Sequence, residues 1–138
     1  MRYLGLDIGD RRIGVAMSDP SGILASPLAI IEREEDSSAI DAVVRIAKEN
    51  GAGRVIVGLP RSLDGSLGTQ AQKVMDFTDT LRAALPVPVE FRDERLTTVS
   101  ARRGMKEAMS KKARREMKDD AIAAAILLQS FLEEGRPG

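Results

Sequence analysis

A chain of 138 residues, 43% hydrophobic and 30% charged, is long enough for one domain with one core. It contains no cysteine and no histidine, which excludes disulfides, thiolate metal sites and any Ser-His-Asp or Cys-His mechanism, and leaves carboxylates as the only ligands for a hard cation such as Mg²⁺ or Mn²⁺. Formal net charge is zero, yet residues 101–118 carry eight basic side chains against two acidic ones, a local +6 that the rest of the chain balances; such a pole either attracts polyanions or is simply a solvated helical face.

In chain order, "RYLGLDI" is rich in β formers and predicts a strand over 2–8. The chain opens as a strand rather than as a charged and apolar leader, so a cytoplasmic protein is expected. "GDRR" has turn composition, and 13–18 reads as a second strand. "DPSG" marks another turn, and 23–31 a third strand whose Pro27 suggests a sheet edge. "DSSAIDAVVRIAKENGAG" predicts an amphipathic helix. Asp36, Ser37 or Ser38 would cap it, Ile40, Val43, Val44 and Ala47 form its stripe, and Gly51 stops it. "RVIVGLP" is the continuous apolar run of a buried parallel strand.

"RSLDGSLG" is a polar, glycine-rich loop. A helix follows over 69–84, with Val74, Phe77 and Leu81 on one face, and then a fifth strand over 87–94. "LTTVSARRGMKEAM" predicts a helix capped by Thr97 or Thr98, and "KKARREMKDDAIAAAILLQSFLEEG" the last helix. No run of about 18 apolar residues is present, so no membrane partner is expected. The order βββαβαβαα predicts an α/β fold in one domain over 1–138. Its five-stranded mixed sheet, three antiparallel strands then βα units, would be flanked by helices on both faces.

Three acids invite a chemical reading. In the first strand Leu4, Leu6 and Ile8 point one way and Gly5, Asp7 and Gly9 the other. An unpaired buried carboxylate costs several kcal/mol, which makes a functional role the better account of Asp7. Glu94 follows the fifth strand; taken alone, it could be a surface partner for Arg92 or Arg95. Asp120 shares a helical stripe with Ala123, Ala124, Leu127 and Phe131, which aims it at the sheet. An acid there also simply favours the helix N-terminus, by about 0.3–1 kcal/mol. Sites in open α/β sheets form at strand carboxyl ends. If the first and fifth strands lie near each other, the three acids converge there, and divalent cations relieve their repulsion. Two such ions roughly 3.5–4 Å apart activate a water and stabilise the leaving oxygen in phosphodiester cleavage. The loop "GLPRSLDGSLG" either offers backbone N–H groups and Arg61 to phosphates or only caps the next helix.

Four segments, "YLGLDIGDRRIGVAMSD", "VIVGLPRSLDGSLGTQ", "VEFRDERLTT" and "DDAIAAAILLQSFLEE", resemble, in order and over essentially the whole chain, the blocks of the YqgF (RuvX) family of Holliday-junction resolvases and pre-16S rRNA nucleases. "DERLTT" together with "VGLP" and "DG" is specific, whereas "LDIG" alone is weak. The resemblance implies an RNase H-like fold and nuclease chemistry dependent on Mg²⁺ or Mn²⁺. It implies Asp7 as the first-strand acid, Glu94 as the acid of the "DERLT" block and Asp120 as the acid of the last helix, with Asp93 and Asp119 as neighbouring alternatives. Arg11, Arg12, Arg61, Arg95 and Arg102 are the candidate phosphate contacts; Arg11, Arg12 and Arg95 lie in matched motifs.

The family role is maturation of the 5′ end of the 16S rRNA precursor in the cytoplasm, so a nucleic-acid partner is expected, pre-rRNA or branched DNA. One tyrosine and three phenylalanines leave few stacking platforms, so recognition would rest on phosphates and shape. The alternatives are a Holliday junction resolvase acting on branched DNA and a nucleic-acid-binding factor without catalysis. The Ala-rich last helix fits a monomer or a homodimer equally.

Overall fold

The computed structural model describes residues 1–62, 64–97, 99–108 and 119–134. Strands β1 (Arg2–Ile8), β2 (Arg12–Ser18) and β3 (Ala25–Glu32) form an antiparallel meander. Helix α1 (Asp36–Glu49) leads into β4 (Ala52–Leu59), and α2 (Thr69–Ala84) into β5 (Val89–Asp93). β4 runs parallel to β1, and β5 parallel to β4. A single 3-10 turn, Glu94–Leu96, precedes α3 (Val99–Ala108), and α4 (Asp119–Glu134) closes the described chain. The sheet order β3-β2-β1-β4-β5 puts β1 at the centre, with the Pro27 strand at an edge. This is the mixed α/β sheet that the sequence predicts.

Alternation along the central strands builds a core on each face. Leu4, Leu6 and Ile8 of β1 join Val55 and Val57 of β4 against Val43, Ala47, Val74, Phe77 and Leu81 of α1 and α2. Tyr3, Ala16 and Ile56 face the other way, against Ala124, Ala125, Leu128, Phe131 and Leu132 of α4. Burial on both faces explains why β4 reads as an unbroken apolar run. Gln129, buried in α4, fixes the start of β3: its Oε1 accepts from the Ala25 N–H at 2.8 Å and its Nε2 donates to the Ile23 carbonyl at 3.1 Å.

Several local expectations change. β3 begins at Ala25 rather than Ile23, because the Ile23 and Leu24 N–H groups donate to the Asp19 carboxylate at 2.7 and 2.9 Å and hold these residues in a turn. Glu35 is the N-cap of α1; Asp36 instead accepts from Arg33 Nε, and the Ser38 hydroxyl donates to the Glu35 carbonyl. Gly51, at φ +64°, lies just past that helix as expected. Of the stripe read on α4, Ala124, Leu127 and Phe131 are buried and Asp120 is half-buried. Ala123 is exposed while Ala121, Ala124, Ala125 and Leu128 are fully buried. The buried face of a helix apolar on most sides is wider than the stripe that periodicity marks. Residues 111–118 of the expected last helix, with Lys111, Lys112, Arg114, Arg115 and Lys118, lie outside the described residues, as does Thr98.

Candidate active site

Asp7 stands near the carboxyl end of the central strand, opposite Gly14 of β2. A Cβ on Gly14 would overlap the backbone carbonyl of Asp120, so this glycine lets the first turn of α4 sit directly on β2, beside Asp7. β5 is not adjacent to β1: β4 lies between them. Glu94 reaches across that strand at Gly58, where a Cβ would lie 2.7 Å from Glu94 Oε1 and 3.0 Å from Leu127 Cδ2. Two missing side chains, one on each strand flanking β1, thus bring together what sequence distance separates.

The result is a cleft of about 240 Å³ lined by Asp7, Glu94, Thr97, Arg102, Ala123, Ile126 and Leu127. Asp7 and Glu94 are hydrogen-bonded to each other. Burial, then the Asp7 charge, pushes the Glu94 carboxyl up to about 7. Burial also raises Asp7, the Asp120 charge raises it further, and the Glu94 hydrogen bond opposes both. The consistent arrangement is one shared proton resting on Glu94, which donates to the Asp7 carboxylate. Asp93, one residue earlier, behaves in the opposite way. Its carboxyl is held low, first by the Arg95 hydrogen bond, and it is absent from the cleft lining.

Asp120 is differently placed. Its charge reaches Asp7, but its own carboxylate pairs with Arg12 Nε at 3.5 Å; the two side chains are 37% and 43% exposed. Among the described residues, no three acids lie within reach of one cation. Asp119 is exposed.

Of the arginines, Arg102 projects from α3 into the cleft. Arg61 and Arg95 both approach Asp93, at 3.8 and 2.7 Å. Arg11 lies exposed before β2, its carbonyl accepting from the Arg33 N–H at 2.8 Å. Thr97, read above only as a helix cap, lines the cleft, and its hydroxyl donates to the Glu94 carbonyl at 3.0 Å. Its place three residues after Glu94 in a tight turn is the signal that would have found it. No helix among the described residues is long and apolar enough to cross a membrane.

Comparison with known proteins agrees with the fold. A Clostridium novyi protein named "Putative pre-16S rRNA nuclease" is 43% identical over 133 residues, covering 96% of this chain and 98% of that one. A Desulforudis audaxviator protein of the same name is 41% identical over 138 residues, covering 100% and 98%. Among solved structures, Thermus thermophilus RuvC in complex with a Holliday junction substrate superposes with a TM-score of 0.62 at 14% identity, covering 98% of this chain and 96% of that one. The fowlpox virus Holliday junction resolvase gives 0.61 at 15% identity, covering 96% and 99%. These likenesses establish the RNase H-like fold. The RuvX family model, described as Holliday junction resolvase, matches residues 1–134, and the chain belongs to that family.

Proposed function

We propose that this chain is a single-domain, metal-dependent nuclease whose cleft hydrolyses phosphodiester bonds of structured RNA, and that its task is trimming the 5′ end of the 16S rRNA precursor in the cytoplasm. The observation that carries the reading is the Asp7–Glu94 pair. Two carboxyls, both pushed up first by burial, meet at the carboxyl end of the central strand beside a guanidinium. A structural ion pair would match opposite charges. A site that keeps like charges together has its natural partner in a cation.

The donor set fits Mg²⁺ or Mn²⁺: oxygen ligands only, in a chain with no histidine or cysteine. Asp7 and Glu94 would hold the ion, with Asp120 as the third acid once its carboxylate leaves Arg12. When bound, the ion supplies an activated water and charge neutralisation at phosphorus. The chain's own residues do the rest. Loss of the shared proton frees Glu94 as a ligand, Arg102 orients a non-bridging phosphate oxygen, and Thr97 fixes the turn that carries Glu94. Arg11, Arg12, Arg61 and Arg95 contact flanking phosphates. The family description supports branched DNA as a second substrate.

The test incubates the protein with a 5′-extended 16S precursor and with a four-way DNA junction, in Mn²⁺, in Mg²⁺ and in chelator. The reading requires metal-dependent cleavage of the RNA, reduced at least about a hundredfold in folded Asp7→Asn. Salt-sensitive binding with no metal-dependent product from either substrate would instead establish a factor without catalysis.

A further inference from the structure

Asp93 has no part in the proposed cation site, yet it is elaborately bonded. Its carboxylate accepts from the Arg95 backbone N–H at 2.9 Å, from Arg95 Nε at 3.1 Å on each oxygen, and from Arg95 Nη2 at 2.7 Å. Arg61 Nε lies 3.8 Å from the same group. Asp93 is itself only 17% exposed, whereas Arg61 and Arg95 are each more than a third exposed. The two arginines come from different segments, the loop after β4 and the turn after β5, and Asp93 pairs with Leu59 where those strands end. A further tie holds Arg61, whose Nη1 donates to the Gly65 carbonyl at 3.0 Å.

We propose that Asp93 is a positioning residue that holds Arg61 and Arg95 side by side as a clamp for one phosphodiester flanking the scissile bond. The proposal rests on the nuclease reading of the neighbouring cleft. Planar guanidinium forks recognise phosphate through paired hydrogen bonds, but only when long, flexible side chains are already in place. A half-buried carboxylate that grips the Nε edge of Arg95 and lies beside Nε of Arg61 orders both guanidiniums. This account and simple electrostatics predict opposite signs. By charge alone, removing an acid from an anion-binding surface tightens binding; by positioning, it weakens binding.

The experiment measures affinity for a fluorescein-labelled stem-junction RNA, together with KM and kcat for the 5′-extended precursor. The proteins are the full chain and its Asp93→Ala, Asp93→Asn, Arg95→Ala and D93A/R95A variants. Asp93→Ala should weaken binding about tenfold and raise KM equally, with kcat within about twofold, the mark of lost uniform binding. Asp93→Asn, which keeps an oxygen for the Arg95 N–H, should lose about threefold. D93A/R95A should bind less well than Arg95→Ala alone, because Arg61 is released too, yet lose less than the two single losses combined. Binding by either Asp93 variant that equals or exceeds that of the parent overturns the proposal. So does full additivity, or a fall in kcat and melting temperature with affinity unchanged. If the parent binds no RNA, the nuclease reading falls and the proposal with it. If parent and Asp7→Asn both bind while Asp93→Ala binds more tightly, the proposal alone falls.

Discussion

Glu94 ties the chemistry of the cleft to the stability of the fold. Its carboxyl titrates near 7 in the folded protein against an ordinary value of 4.5. Between those values the folded state keeps a proton that the unfolded chain has released. The contribution of Glu94 to metal-free stability is therefore fully present below about pH 4.5 and is lost as pH rises through 7. Asp93, held low by Arg95, acts in the opposite sense and only in acid. Glu94→Gln cannot ionise, so its melting temperature should exceed the parent's by about 3 °C at pH 8 and match it near pH 5. Added Mn²⁺ should reverse the parent's trend, stabilising more at pH 8 than at pH 6, because the ion competes with the proton. A thermal melt series across pH, with and without Mn²⁺, checks both. Asp7 is conspicuous in the sequence because an acid interrupts an apolar strand. The difference between Asp93 and Glu94 is invisible there, since it depends on which way each side chain leaves the turn and which arginine meets it.

The elements set the site through close approach more than through attraction. α4 sits on β2 only because Gly14 has no side chain, and Glu94 crosses β4 only because Gly58 has none. Gly14→Ala should cost about 2–3 kcal/mol and shift the first turn of α4, with Asp120, away from Asp7. Urea denaturation reads the cost, and reduced Mn²⁺ affinity reads the shift. Gln129→Leu leaves the Ala25 N–H unpaired in the core and should cost about 1–3 kcal/mol, with faster amide exchange confined to β3. Element order and the inward face of β1 are legible in the sequence, because period-two alternation and turn residues are local signals. The crossing over Gly58 is not, because cross-strand neighbours are fixed by register. Nor is the full width of the buried face of α4, whose residues are apolar on nearly every side. Gly5 and Gly14, on adjacent strands, both lie against α4: a Cβ on Gly5 would fall 2.9 Å from Leu128 Cβ.

At the scale of the molecule, zero net charge conceals a cleft of acids rimmed by arginines. Five arginines contacting phosphates should make RNA affinity fall about a hundredfold between about 50 and 200 mM salt, with Arg102→Ala lowering the slope by about one contact. Anisotropy titrations at several salt concentrations measure this directly. The central claim, that Asp7 and Glu94 share a proton in place of a metal ion, is met most directly by a crystal grown in Mn²⁺ at pH 8. The account predicts an anomalous peak about 2.1 Å from an oxygen of each carboxylate, with the hydrogen bond between them gone. Asp7 and Glu94 still bonded to each other at saturating Mn²⁺, with no peak between them, would contradict it.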